Sequence, residues 1–194
     1  MQYPLDLSFK LVALAPQVSV TDATGQLAFY VKQKAFRLKE EVTVFADREQ
    51  SRALYKIAAD RILDFSARYR FTDAASTPLG SVKREGMRSL WRSRFEVYDG
   101  DTPVATIREE NPWVKVADGL FEAIPIIGMF SGYLFHPSYL VTRQDGAALL
   151  RLSKQPAFFE GKFRIDRLSP LDETEETRML LSVLMMLMLE RAKG

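Results

Sequence analysis

Apolar and polar side chains alternate along most of the chain, and turns containing aspartate interrupt the alternation at regular intervals. Leu63-Asp64-Phe65-Ser66-Ala67-Arg68-Tyr69-Arg70-Phe71 has apolar residues at odd positions and polar ones at even positions. Side chains of a strand point alternately to opposite faces, so this pattern gives one face to a core and one to water. Arg94-Phe95-Glu96-Val97 and Lys162-Phe163-Arg164-Ile165-Asp166 repeat it. Five times such a segment meets a turn and a second segment follows. The turns are Asp22-Ala23-Thr24-Gly25, Asp47-Arg48-Glu49-Gln50, Asp73 through Gly80, Asp99-Gly100 and Asp145-Gly146. Aspartate bonds its own backbone at such positions, and glycine tolerates positive φ. The leading aspartates at 22, 47, 73 and 99 are 25, 26 and 26 residues apart, and Asp145 comes 46 later. That spacing predicts stacked hairpins, with an insertion before the last. Five hairpins supply ten strands. Ser8–Leu14 and Lys162–Asp166 bring the total to about twelve, an antiparallel system large enough to close or to sandwich.

The pattern changes after Asp166. Ser169-Pro170 offers a helix start with serine as N-cap, and Asp172-Glu173-Thr174-Glu175 offers another one turn on. Asp172, Glu173, Glu175 and Glu176 suit the positive end of a helix dipole, and Arg191 and Lys193 suit the negative end. Between them Met179–Leu189 is apolar on every face, so a helix there must be surrounded. These 11 residues fall short of the roughly 20 that a membrane span needs. The expected architecture is one domain over residues 1–194, mainly β (α+β). It is an antiparallel barrel of about twelve strands at residues 7–167, enclosing a central helix at about 170–191.

Asn111–Tyr139 forms the insertion. Within Val116–Phe135 only Asp118 and Glu122 are charged, and Pro125, Gly128 and Gly132 would break a regular helix. Two readings stand: a short helix and loop plugging one end of the sheet, or an exposed apolar loop touching lipid or a partner through Ile126, Ile127, Met129 and Phe130.

Charge adds one feature. The chain nets only +2, so it is no polycation aimed at nucleic acid. Yet Arg61–Arg94 carries 8 bases against 3 acids, a local +5 that leaves −3 elsewhere. Absence of cysteine removes disulfides, thiolate metal sites, a cysteine nucleophile and S-palmitoyl anchors. The start, Met1-Gln2-Tyr3-Pro4-Leu5-Asp6, lacks a secretory signal's basic end and apolar run, which makes the cytoplasm the expected compartment.

Two hairpin segments carry a resemblance: Val18-Ser19-Val20-Thr21-Asp22 with Phe29-Tyr30-Val31, and Val44-Phe45-Ala46-Asp47 with Leu54-Tyr55-Lys56-Ile57. So does the ending, Phe163-Arg164-Ile165-Asp166, then Pro170, then the all-apolar helix. Over nearly its whole length the chain resembles the LURP-one-related family of the tubby C-terminal-like superfamily, which includes phospholipid scramblases. The resemblance implies a twelve-stranded barrel threaded by the C-terminal helix, and lipid-related roles. It transfers no lipid-binding residue position by position. The cysteine-rich segment of scramblases is absent, and so is a calcium-loop pattern of spaced acids and glycine.

Catalytic chemistry has little to build on. His136 is the only histidine, and a hydrolase triad or histidine metal site would have to use it, although in Phe135-His136-Pro137 it reads as a turn residue. Glu109-Glu110, and Asp118 with Glu122, are the carboxylate pairs, of the kind ordinarily found solvated. Gly80 and Gly86 make no nucleotide fingerprint, and no cofactor is expected. The remaining signal is Lys83, Arg84, Arg88, Arg92 and Arg94 around Trp91, with Arg68 and Arg70 joining if their strand is adjacent. Basic residues flanking an interfacial tryptophan suit reversible attachment to anionic phospholipid. Single-stranded nucleic acid would require more exposed aromatics. The expected function is a non-enzymatic module, peripheral at a membrane. A protein-interaction scaffold using 116–135 is the first alternative and a His136 hydrolase the second.

Overall fold

The alternating segments become strands, and the strands close into a ring. A computed structural model of the chain describes residues 1–12, 15–32, 41–61, 67–85, 94–110, 138–156 and 161–191. The strands are β1 (Leu5–Val12), β2 (Ala15–Thr21), β3 (Leu27–Lys32), β4 (Glu41–Phe45), β5 (Ala53–Ala59) and β6 (Arg68–Asp73). They continue with β7 (Pro78–Arg84), β8 (Arg94–Asp99), β9 (Thr102–Glu109), β10 (Ser138–Arg143), β11 (Ala148–Gln155) and β12 (Gly161–Arg167). Each pairs antiparallel with its sequence neighbours, and β1 pairs with β12 to complete a closed barrel. One C-terminal helix, α1 (Glu173–Arg191), follows.

Because successive strands reverse direction, the barrel has two unlike ends. The connections after even-numbered strands and the start of α1 lie at one end, the base. The odd-numbered strands and α1 end at the other, the rim.

All five aspartate turns fall at the base, and three hold themselves in the same way. Asp22 Oδ1 accepts from the amides of Thr24 and Gln26. The Asp47 carboxylate accepts from those of Ser51 and Arg52, and Asp73 Oδ1 from those of Ala75 and Thr77. Each of the five hairpins also slips register at the turn end of its first strand, as at Val20/Thr21 and Val97/Tyr98. The third turn is tighter than expected: β7 begins at Pro78, so Gly80 lies inside a strand.

The helix starts at the second of its two candidate caps. Asp172 accepts at Oδ1 from the Glu175 amide at 2.8 Å, the bond that defines an N-cap. Ser169 instead donates its hydroxyl to the Ala148 carbonyl at 2.7 Å, tying the chain to β11 before α1 begins.

Strand parity fills the lumen. Leu5 and Leu7 of β1, Phe71 of β6, Phe95 and Val97 of β8, Ile107 of β9 and Ile165 of β12 are buried against the helix. From Glu176 to Met188 α1 is buried on all sides, as an all-apolar helix requires. Each fully buried leucine or methionine there contributes about 1.5–3 kcal/mol. The Ser182 hydroxyl satisfies itself by donating to the Arg178 carbonyl at 2.8 Å. Among the described residues, no helix is long and apolar enough to cross a membrane.

Two charged side chains of α1, Glu176 and Arg178, are buried in this packing. Arg178, 8% exposed, donates from Nε to the Leu79 carbonyl at 2.6 Å and pairs its Nη2 with Asp99 Oδ2 at 2.8 Å. Gly80 makes room for it. At φ +130° a Cβ there would lie 2.5 Å from the Tyr98 carbonyl oxygen and 2.7 Å from Arg178 Nε.

Candidate functional site

In β6, Tyr69 and Phe71 turn inward, so Arg68 and Arg70 turn out. Register then assembles a charged outer face. Arg68 stands opposite Lys83, and Lys83 opposite Glu96. One row nearer the base, Arg70 stands opposite Ser81 and Ser81 opposite Tyr98. One row nearer the rim, Arg94 faces Arg108 across β8 and β9.

Two arginines directly opposite repel unless acids intervene. Glu85 supplies the first, with its Oε2 2.7 Å from Arg94 Nε, and Glu96 Oε1 lies 3.8 Å from Arg94 Nη2. The Glu85 amide also donates to the Arg94 carbonyl, which holds β7 and β8 together at this point. Arg68 reaches toward the base, with its guanidinium 4.0 Å from the centroid of the Tyr98 ring and Nη1 donating to Asp101 Oδ1 at 2.8 Å. The face thus carries five cations (Arg68, Arg70, Lys83, Arg94, Arg108) against three carboxylates (Glu85, Glu96, Asp101), a net +2.

The carboxylates differ in their readiness to ionise. Burial pushes the Glu85 carboxyl up, and its neighbour Glu96 adds to the effect. Glu96 is held down, first by the Tyr98 hydroxyl, which donates to Oε2 at 2.6 Å. Of these two, Glu85 is therefore the one that takes a proton first as pH falls.

A second feature lies at the base: an open cleft of about 870 Å³ lined by Asp99, Val104, Arg143, Asp145, Asp172 and Arg178, among others. Its cations are engaged within the protein. Arg143 makes a two-pronged pair with Glu175, from Nε and Nη2, each at 2.8 Å. Arg178 is held as described above.

A family model described as LURP-one-related matches residues 13–123, more than half of the chain. The chain belongs to the LURP-one-related family. A crystal structure of an Arabidopsis thaliana protein matches at 15% identity and a TM-score of 0.49, over 94% of this chain and 89% of that one. Among curated proteins, none matches. The family match spans β2 through β9 and so contains the whole Arg68–Arg108 face, whereas Arg143, Glu175 and Arg178 lie beyond it.

Of the residues singled out in the sequence, Arg68, Arg70, Lys83 and Arg94 come together on this outer face. Arg84 stands in register with inward-facing Phe95 and belongs to the other row. Arg88, Trp91 and Arg92 lie outside the described residues, as do Asp118, Glu122, Ile126, Ile127, Met129, Phe130 and His136. Glu109 and Glu110 do not act as a pair: Glu110 Oε1 accepts from Arg151 at 3.1 Å, and Glu109 stands opposite inward-facing Tyr139. Burial pushes the Tyr139 hydroxyl up to about 12. Among the described residues, no cluster of three or more histidine, aspartate or glutamate side chains is placed to hold a metal.

Sequence reading missed Arg108 and the three carboxylates. Thr106-Ile107-Arg108 shows that Arg108 points outward from a strand. Only the β8–β9 register puts it beside Arg94, and only the β7–β8 register sets Glu96 beside Lys83.

Proposed function

We propose that this LURP-one-related domain is a non-enzymatic binding module that attaches reversibly to anionic phospholipid through the outer face of β6–β9. The convergence of Arg68, Arg70, Lys83 and Arg94 with Arg108 on adjacent strands carries the reading. An array of guanidinium and ammonium groups suits phosphate oxygens, to which arginine donates two parallel hydrogen bonds. Each cation near an anionic surface contributes about 1 kcal/mol, so five among three acids give weak, reversible attachment. The acids set a threshold, because phosphate must compete with Glu85 and Asp101 for the arginines they hold.

Co-sedimentation with vesicles tests this directly. The domain should pellet with phosphatidylserine-containing vesicles and not with neutral ones, and added salt should release it. Pelleting that ignores lipid charge would end the proposal.

A further inference from the structure

Within the charged face, Arg94 of β8 and Arg108 of β9 stand directly opposite each other, both pointing outward. The Cβ atoms of such a pair are roughly 4.5–5.5 Å apart, so two guanidinium forks open on one patch of surface. Neither fork is fully engaged. Glu85 Oε2 lies 2.7 Å from Arg94 Nε, yet that N–H is not aimed at the carboxylate and makes no hydrogen bond. The contact is one of charge, with a donor left over. Arg108 is exposed, and among the described residues no carboxylate forms an ion pair with it. Its neighbours do not claim it: Glu110 accepts from Arg151, and Leu140, opposite Arg108 on β10, is apolar.

We propose that Arg94 and Arg108 form a clamp for a phosphomonoester, a terminal phosphate carried on a lipid, and that Glu85 is the carboxylate it displaces. The clamp rests on the lipid reading above and names the headgroup chemistry within it. A phosphomonoester presents three free oxygens and a charge of about −1.5 to −2 near neutral pH. Each guanidinium donates two parallel hydrogen bonds, so two opposed forks fit three oxygens with one of them shared. A phosphodiester has only two free oxygens and a single negative charge. It satisfies one fork and turns its ester chains toward the other. The dianion also outcompetes one carboxylate for Arg94. Glu85, once released, stays beside Glu96, and burial together with that neighbour already pushes its carboxyl up, so it takes up a proton more readily as the clamp fills.

Co-sedimentation with two sets of phosphatidylcholine vesicles tests the clamp. One set carries phosphatidate and the other phosphatidylglycerol, adjusted to equal surface potential so that charge alone does not separate them. The parent should bind the phosphatidate vesicles about fivefold more tightly. Arg108→Gln should abolish that preference, whereas Lys83→Gln should weaken binding to both lipids alike and keep it. Equal affinity of the parent for the two lipids, or a preference that survives Arg108→Gln, would overturn the clamp and leave the lipid reading intact. Failure to pellet with either lipid would overturn the lipid reading itself. Calorimetric titration with glycerol 3-phosphate then decides the clamp alone: binding that Arg108→Gln abolishes would uphold it for a soluble phosphomonoester, and absence of binding would overturn it as well. A phosphoserine peptide that binds more tightly than the phosphatidate vesicles would overturn the assignment to lipid.

Discussion

The two ends of the barrel use charge for different purposes. At the base, acids serve the chain itself: Asp22, Asp47 and Asp73 accept turn amides, Asp172 caps α1, and Asp99 neutralises buried Arg178. Toward the rim, Lys83 and Arg94 stand on outer strand faces, and carboxylates such as Glu85 pair with such cations side chain to side chain. Base substitutions should therefore be read in stability, and substitutions toward the rim in binding.

Gly80→Ala offers the largest test. Its Cβ would meet the Tyr98 carbonyl and the Arg178 side chain at a backbone angle that L-residues rarely adopt. Denaturant unfolding should show a loss of about 3 kcal/mol. The folded fraction should still pellet with acidic vesicles as before. A shift below about 1 kcal/mol would mean that the base is looser than the Arg178 packing indicates.

Arg178→Met comes next. It strands the Leu79 carbonyl and leaves Asp99 unpaired, but Asp99 is more than half exposed and water can take it up. The expected loss is therefore about 2 kcal/mol, below the 3–5 of a fully buried pair. Unchanged vesicle binding would keep the two ends separate, and a loss of binding in the folded protein would join them.

The contrast between the ends also marks what the sequence reveals. Strand number, turn positions and the enclosed helix are all written locally: Tyr69-Arg70-Phe71 states its parity, Asp73 its turn and Met179–Leu189 its burial. The choice of helix cap is less legible, because Ser169-Pro170 satisfies every local rule and is displaced by a tertiary bond to Ala148. The candidate face is half legible. Arg68 and Arg94 are plainly outward, but Arg108 and Glu96 become their neighbours only through pairings that one residue of slippage would undo. Arg178 was hidden altogether, since a charged residue in a helix's first turns ordinarily meets solvent.

On the binding side, Lys83→Gln with Arg94→Gln should cut affinity for acidic vesicles about fivefold per charge, or roughly 25-fold together. Stability should move by less than about 0.5 kcal/mol, as exposed pairs allow. A stability loss comparable to that of Arg178→Met would make this face structural and collapse the distinction between the two ends.

The smallest effect is the most specific to the mechanism. Glu85 has a carboxyl raised above the ordinary value of 4.5 and lies against Arg94, with Glu96, Lys83 and Arg108 around it. For folding the sign is unfavourable: as pH rises through 4.5 the unfolded chain ionises first, and stability falls until Glu85 ionises in the folded protein. For binding the sign reverses. As pH drops from neutral, Glu85 is neutralised ahead of Glu96, Arg94 loses its nearest counter-charge, and attachment to anionic vesicles tightens. Glu85→Gln should mimic the protonated state, raising affinity about two- to fivefold at pH 7 without loss of stability, and flattening the rise that the parent shows as Glu85 takes up its proton. A variant that binds no better than the parent at pH 7 would mean that Glu85 does not restrain Arg94, and the threshold would have to lie with Asp101 on Arg68 instead.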